Sequence, residues 1–176
     1  MGKNVALVLS GGGARGIAHI GVIEELLEQG YTITSIAGTS MGSMVGAMYA
    51  LGKMEDFKQW ICALDRQQVF RLVDFSFSNK GLIKGERVLN AIKEFIPDKN
   101  IEELEMPYAA VAVDILNREE IVFTSGSIFE AIRASISIPT VFKPVPSGDK
   151  LLVDGGVLNN IPLNRVVRHE GDLLFG

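Results

Sequence analysis

A short apolar run at 33–37 leads directly into Gly38-Thr39-Ser40-Met41-Gly42. A Gly-x-Ser-x-Gly sequence after a strand is typical of a tight strand-to-helix turn that lifts a serine hydroxyl above the edge of a sheet. Such a turn is strained and a helix passes close to it, so a side chain at either glycine would clash or disfavour the backbone. The feature therefore predicts an α/β fold in which Ser40 is a nucleophile for acyl transfer.

Short apolar segments and helical patterns alternate through the first third of the chain. Buried strands are predicted at 4–9 and 33–37, and helices follow them at 14–29 and 43–51. Alternation of this kind is typical of a sheet with parallel strands and helices packed against it. The sequence therefore predicts that the serine turn lies at the carboxyl end of a central strand.

The alternation pauses over 53–100, which we interpret as a small helical cap inserted into one catalytic domain that covers residues 1–176. The elements predicted after the cap are an antiparallel pair of strands at 108–114 and 120–124, a helix at 127–135, a hairpin of 141–145 and 151–153, a short helix, and a strand that begins at Asp172. Because this last strand has barely begun at Gly176, we expect the domain to continue beyond it.

Composition excludes several classes of function. Hydrophobic residues make up 47% of the 176 residues, and the net charge of -4 argues against a nucleic-acid-binding protein. The single cysteine, Cys62, excludes a disulfide within the chain and is expected to be a small buried residue in a reducing compartment. No apolar run approaches the roughly 20 residues that span a bilayer, and no signal peptide is evident, so the sequence predicts a cytoplasmic protein.

A second glycine-rich turn, Gly11-Gly12-Gly13-Ala14-Arg15-Gly16, separates the first strand from the first helix. Its spacing also fits a dinucleotide-binding loop, but that motif requires an acidic residue at the end of the second strand, where this chain has the serine turn. Consecutive glycine N–H groups that lead into a helix can instead donate to a developing oxyanion. A tight turn without a ligand is the alternative interpretation.

A serine nucleophile needs a base, because a neutral hydroxyl is a weak nucleophile. The two histidines are His19, inside the first predicted helix, and His169, in a charged segment. Neither follows a strand in the way that the catalytic histidine of α/β-hydrolases does. A Ser-His-Asp triad is therefore disfavoured.

Asp154 is the alternative base. It follows the apolar run 151–153 and precedes Gly155-Gly156, so it is expected at the end of a strand, at the edge where α/β sheets bind ligands. An ordinary Asp-Gly turn would have the same local sequence. A dyad of Ser40 and Asp154 is the economical hypothesis.

With these motifs, the chain resembles the patatin-like phospholipases of the short bacterial type along essentially its whole length. Three motifs match in order, at 11–16, 38–42 and 154–156, and Ala134-Ser135-Ile136-Ser137-Ile138-Pro139 with Phe142 and Pro144 matches a further family segment. The resemblance implies a three-layer α/β/α sandwich with a mainly parallel central sheet. It also implies hydrolysis of lipid acyl esters, phospholipid or lysophospholipid, through an acyl-enzyme.

The resemblance also assigns roles to the motif residues. Ser40 would be the nucleophile and Asp154 its base, and the oxyanion hole would consist of backbone N–H groups of Gly11, Gly12, Gly13 and Met41. The residues expected to shape these turns are Arg15, Gly16, Gly38, Gly42, Gly155 and Gly156. No metal or cofactor is implied. The expected partner is a lipid acyl ester, reached through transient contact with a membrane surface.

Other interpretations stay open. The apolar side chains of Phe70, Leu72, Val73, Phe75 and Phe77 suit either a lid that lines an acyl chain or packing within the cap. A catalytically silent lipid-binding or regulatory protein would keep the same fold. A dinucleotide-binding module built on the glycine loop is the third alternative.

Overall fold

The structure, a computed structural model, describes residues 3–65 and 86–176. The apolar stretch that suits a lid or cap packing lies outside the described residues. The strands are β1 Lys3–Leu9, β2 Tyr31–Thr39, β3 Tyr108–Asp114, β4 Glu119–Phe123, β5 Val145–Ser147, β6 Lys150–Asp154 and β7 Leu173–Phe175. The helices are α1 Ala18–Glu28, α2 Met41–Ala50, α3 Met54–Ala63, α4 Glu86–Lys93 and α5 Ile128–Ser135. Within the described ranges, no helix is long and apolar enough to cross a membrane.

The strands form one sheet in the order β5-β6-β3-β2-β1-β7, with β4 added beside β3. β1 pairs in parallel with β2 and β7, and β2 pairs in parallel with β3. β3 pairs antiparallel with β4 and with β6, and β5 forms a hairpin with β6. The predicted α/β fold, the antiparallel pair and the hairpin are confirmed. The sheet is mixed rather than mainly parallel.

Two strands share one edge of β3. β2 pairs with the first half of β3, where Thr39 lies opposite Val111, and β6 pairs with the second half, where Asp154 lies opposite Ala112. Because β2 is parallel and β6 antiparallel to β3, the carboxyl ends of β2 and β6 point toward each other. This register brings together Ser40, which follows β2, and Asp154, the last residue of β6.

One face of the sheet carries the main hydrophobic core. Leu7 of β1, Ile36 of β2 and Met48 of α2 are buried there, in the same cluster as Phe57 of α3 and Ile92 of α4. All five residues from Val5 to Leu9 are buried, as expected for a central parallel strand covered on both faces. The helices predicted for the cap thus contribute side chains to the core of the sheet itself.

The expectation for Cys62 is wrong. The thiol lies on α3 but is exposed. The inner side of this amphipathic helix is occupied by Phe57, with Trp60 and Ile61 packed against the core. Residue type alone does not fix which side of the helix a small residue occupies.

The opposite face of the sheet is covered by the segment 155–172. Apart from the 3-10 helix Gly155–Val157, the described residues there form turns, so the short helix predicted before the last strand is absent. Hydroxyls of the sheet take up the backbone carbonyls of this segment, with Thr39 donating to Asn159 at 2.8 Å and Ser35 donating to Val167. Because these carbonyls accept from the sheet, they are not available to the i+4 N–H groups of a helix. This explains why the predicted short helix is absent.

Helix α2 lies unusually close to the sheet. A Cβ built at Gly42 would lie 2.1 Å from the carbonyl oxygen of Leu9, and one at Gly46 would lie 2.7 Å from Cγ2 of Ile36. Gly42 therefore faces backbone, which cannot rotate away as a side chain can. This contact fixes the start of α2 against the end of β1.

We predict that Gly42→Ala destabilises the fold by about 2 kcal/mol or more, because the methyl group must displace backbone. Gly21→Ala is the matched control, since Gly21 lies in α1 with nothing within 4 Å of its Cβ position. This control should gain about 0.5–1 kcal/mol from better helix propensity. Urea unfolding measures both effects, and equal midpoints for the two variants would contradict the close packing of α2.

Candidate active site

Ser40 stands between β2 and α2 in a strained conformation. Its φ is 54 and its ψ is -125, a combination that a residue with a side chain rarely adopts. α2 begins at the next residue, Met41, so the chain reverses within a single position. A Cβ at Gly38 would lie 2.5 Å from the N atom of Ser43, which explains the first glycine of the motif. The predicted strand–serine–helix turn is therefore present.

The backbone of Ser40 is held on both sides. Its N–H donates to Oγ of Ser135 at 2.8 Å, and its carbonyl accepts from the N–H and the hydroxyl of Ser43 and from the N–H of Met44. The hydroxyl of Tyr108 donates to the Ser43 carbonyl at 2.8 Å from beneath the turn. Burial raises the pKa of Tyr108, so it remains a neutral donor. These bonds fix the strained turn to the sheet and to α5.

The hydroxyl of Ser40 donates to Asp154. Oγ of Ser40 lies 2.5 Å from Oδ2 of Asp154, and both residues are buried. The other carboxylate oxygen, Oδ1, accepts from the N–H of Gly156 at 2.7 Å. The two carboxylate oxygens thus have separate partners, the Ser40 hydroxyl and the Gly156 N–H.

Burial raises the pKa of Asp154 above its ordinary value, and the hydrogen bonds from Ser40 and Gly156 offset only part of that effect. A carboxylate with a raised pKa is a better proton acceptor than a free aspartate. Gly155 permits this position, because a Cβ there would lie 2.3 Å from the carbonyl oxygen of Val111. The Asp-Gly-Gly motif therefore places a basic carboxylate against β3.

The glycine-rich turn lies directly beside the serine. A Cβ at Gly11 would lie 3.2 Å from Cβ of Ser40, and a Cβ at Gly16 would lie 2.6 Å from Cβ of Met41. Gly13 has φ 54, a left-handed conformation that favours glycine, and begins the 3-10 helix Gly13–Ile17. The two ends of the turn thus flank the Ser40–Met41 peptide.

The N–H groups of this turn differ in their use. The N–H of Gly11 donates to the carbonyl of Asn160 at 3.1 Å, so it anchors the loop. The first N–H groups of a helix have no partner within it, and Gly13 and Met41 occupy such positions in the 3-10 helix and in α2. Arg15 is exposed at the surface of the turn.

Neither histidine is a hydrogen-bond partner of Ser40 in the described structure. Nε2 of His19 lies 2.9 Å from the carbonyl oxygen of Ser10, an acceptor, so this ring nitrogen carries the proton. His169 is exposed, and its backbone N–H donates to Asp172 at 2.9 Å. Asp154 is the group that receives the Ser40 hydrogen bond among the described residues.

Two further groups of residues contribute to the site, although the sequence motifs did not identify them as site residues. Asn160 accepts from Gly11 through its carbonyl, and the preceding carbonyl of Asn159 binds Thr39. Ser135 joins α5 to the N–H of Ser40. Their sequence signals are weak: Ser135 lies in the family segment at 134–139, and the asparagines follow the Asp-Gly-Gly turn.

The chain was compared with known proteins. The family profile of patatin-like phospholipases matches residues 7–167. An uncharacterized NTE family protein of Mycobacterium tuberculosis is 43% identical over 169 residues, which are 96% of this chain and 47% of that protein. The patatin-like phospholipase domain-containing protein 7 of Mus musculus is 34% identical over 97% of this chain and 13% of its own length.

Among solved structures, VipD from Legionella pneumophila has a similar fold, with a TM-score of 0.61 and 17% identity over 98% of this chain and 49% of that chain. The chain spans about half the length of the mycobacterial relative, 47%, and a smaller share of the mouse protein, 13%. The matched profile covers the positions of all the motifs of the site, and the two relatives match 96% and 97% of the chain. The chain belongs to the patatin-like phospholipase family.

Proposed function

We propose that the chain is a serine acyl-ester hydrolase that acts on lipid acyl esters, with Ser40 as nucleophile and Asp154 as base. The observation that carries the proposal is the 2.5 Å hydrogen bond between Oγ of Ser40 and Oδ2 of Asp154 in a buried site. A serine and a general base within hydrogen-bonding reach are the minimum for covalent acyl transfer. Membership of the family supports the same chemistry.

The reaction begins when Oγ of Ser40 attacks the ester carbonyl carbon and its proton passes to Oδ2 of Asp154. The tetrahedral intermediate then collapses, the bond to the leaving alcohol breaks, and Asp154 returns the proton to that alcohol. Water attacks the acyl-enzyme in the second half, giving one proton to Asp154, which passes it back to Ser40 as the fatty acid leaves. Asp154 is therefore acid and base in turn.

We assign the stabilisation of the negative oxygen of the intermediate to backbone N–H groups of the glycine-rich turn and of the residue after the serine. Gly13 and Met41 each begin a helical segment, and Gly12 precedes Gly13 in the same turn. Donors held in place before the reaction stabilise developing charge more than mobile water does. The N–H of Gly11 is engaged with Asn160, so we assign Gly11 to the support of the loop.

The family and the apolar surroundings of the base support a lipid as the substrate. Val157 and Leu158, directly after the Asp-Gly-Gly turn, expose 51% and 55% of their surface. Exposed apolar side chains beside a polar site suit a ligand with an acyl chain. We therefore propose phospholipids or lysophospholipids as substrates, with transient contact at a membrane surface.

Replacing the nucleophile tests the proposal directly. We predict that Ser40→Ala lowers hydrolysis of a p-nitrophenyl acyl ester by about 10⁴-fold or more, because no covalent intermediate can form. A fluorophosphonate probe should label the unmodified protein and fail to label this variant. Ser147→Ala, at the exposed end of β5, is the control and should behave like the unmodified protein. Equal labelling of the two variants would exclude Ser40, and vesicle binding without turnover would favour a silent lipid-binding protein.

The raised pKa of Asp154 predicts an acid limb in the pH–rate profile. Protonated Asp154 cannot accept the serine proton, so kcat/KM should fall as the pH falls through the pKa of that carboxyl group. Because the pKa is raised, the midpoint should lie above about 3.9, the ordinary value for aspartate. A stopped assay over a pH series measures it, and full activity maintained below that value would contradict the role of Asp154.

The same pKa shift predicts opposite effects of Asp154→Asn on activity and stability. A group whose pKa is raised by folding stabilises the fold when protonated and loses that contribution as the pH rises through the folded pKa. At neutral pH the buried carboxylate therefore costs stability, and the neutral amide should raise the melting temperature while kcat falls by about 10²–10⁴-fold. Asp149→Asn, on the exposed β5–β6 turn, is the control and should change neither quantity. Lower stability of Asp154→Asn would contradict the assignment.

A further inference from the structure

The backbone N–H of Ser40 is bound by Ser135, a residue that has no part in the reaction proposed above. It donates at 2.8 Å to Oγ of Ser135, the last residue of α5. The strained residue is thus held through its own peptide group by a side chain from another element. Ser135 itself has 0% of its surface exposed, so water cannot replace it.

The hydroxyl of Ser135 also binds the sheet. It donates at 2.6 Å to the carbonyl oxygen of Val111, the residue of β3 that lies opposite Thr39. One hydroxyl therefore accepts from the nucleophile's peptide and donates to the strand beside it. These two hydrogen bonds, to Ser40 and to Val111, fix the position of the turn relative to β3.

The same segment holds the base. The carbonyl of Ser137 accepts from the backbone N–H of Asp154 at 2.9 Å. The hydroxyl of Ser137 donates at 2.7 Å to the carbonyl of Arg133, and the guanidinium of Arg133 donates to that hydroxyl at 2.6 Å. The end of α5 thus contacts the backbone of both members of the dyad, two residues apart.

We propose that Ser135 is a positioning residue, which sets the distance between the Ser40 hydroxyl and Asp154 by clamping the Ser40 peptide to β3. This inference rests on the proposed function, because it concerns the geometry of the same dyad. Without the Ser135 hydroxyl, a buried N–H in a strained peptide loses its partner, and the peptide can rotate toward an ordinary conformation. Such a rotation moves Oγ away from Oδ2 of Asp154, although no reacting group has been removed.

The test compares the whole chain with Ser135→Ala and with Ser135→Cys, whose thiol is somewhat larger than the hydroxyl and is a weak hydrogen-bonding group. We expect kcat for a p-nitrophenyl ester to fall by about 10-fold to 100-fold in both variants with KM nearly unchanged, since small misplacements of reacting groups cost this much. The hydrogen bond from Ser40 lowers the pKa of Asp154, so weakening it should also move the acid limb of the pH–rate profile upward.

Ser127→Ala is the matched control. Ser127 caps the other end of α5, where its Oγ accepts from the N–H of Glu130 at 3.1 Å, and it has no bond to the dyad. Losing this cap should lower the melting temperature while leaving kcat and the acid limb unchanged. A merely structural role of Ser135 would produce this same pattern.

Amide hydrogen exchange of Ser40, followed by NMR, gives a readout that needs no catalysis. We expect faster exchange at this amide in Ser135→Ala, and unchanged exchange in Ser127→Ala. Unchanged kcat, acid limb and Ser40 exchange in the Ser135 variants would overturn the inference, and Ser135→Cys decides if Ser135→Ala does not fold. If the unmodified protein neither hydrolyses esters nor reacts with the probe, the proposed function fails, while the exchange rates still decide the clamp.

Discussion

The site depends on the sharing of one edge of β3 by two strands that run in opposite directions. β2 and β6 pair with successive halves of the same edge of β3, so Ser40, which follows β2, meets Asp154, the last residue of β6. An entirely parallel sheet would place all carboxyl ends side by side at the strand spacing of about 4.8 Å. Opposed strands place them end to end, close enough for a direct hydrogen bond. The antiparallel part of the sheet is therefore what makes a two-residue site feasible.

The arrangement is costly in two ways. Ser40 adopts a backbone conformation that side chains disfavour, and Asp154 keeps a carboxylate away from water. The surroundings offset these costs with groups that are themselves fixed, namely the hydroxyls of Ser135 and Tyr108 and the N–H of Gly156. A site of this kind resists relaxation because each strained group is bound by a separate element of the fold.

Site residues whose contacts are close in sequence could be predicted from the sequence, whereas residues whose partners are distant in sequence could not. The glycines at 38 and 42 are required by contacts within a few residues or with the adjacent strand, so the motif alone indicates the turn. The partner of Ser135 is 95 positions away and that of Asn160 is 149 positions away, and serine and asparagine occur in many ordinary turns. The sequence predicts a helix within 155–172 because the hydroxyls that bind the carbonyls of this segment are remote in sequence, so local patterns do not reveal them. Cys62 was misplaced because composition does not define a helix face.

The covering of the second sheet face by a segment without long helices has a consequence for the order of assembly. Asp154 lies 114 positions from Ser40. The segment after it is bound to the sheet through backbone carbonyls and through side chains such as Asp172, which accepts from Thr34. Because closing a long loop costs chain entropy, we expect this segment to join the fold after α1, α2 and the adjacent strands, whose core contacts are nearer in sequence. We therefore expect the contact between Ser40 and Asp154 to form late in folding and to be lost early on partial unfolding. A nascent or damaged chain would then retain most of its helical structure while Ser40 and Asp154 are apart.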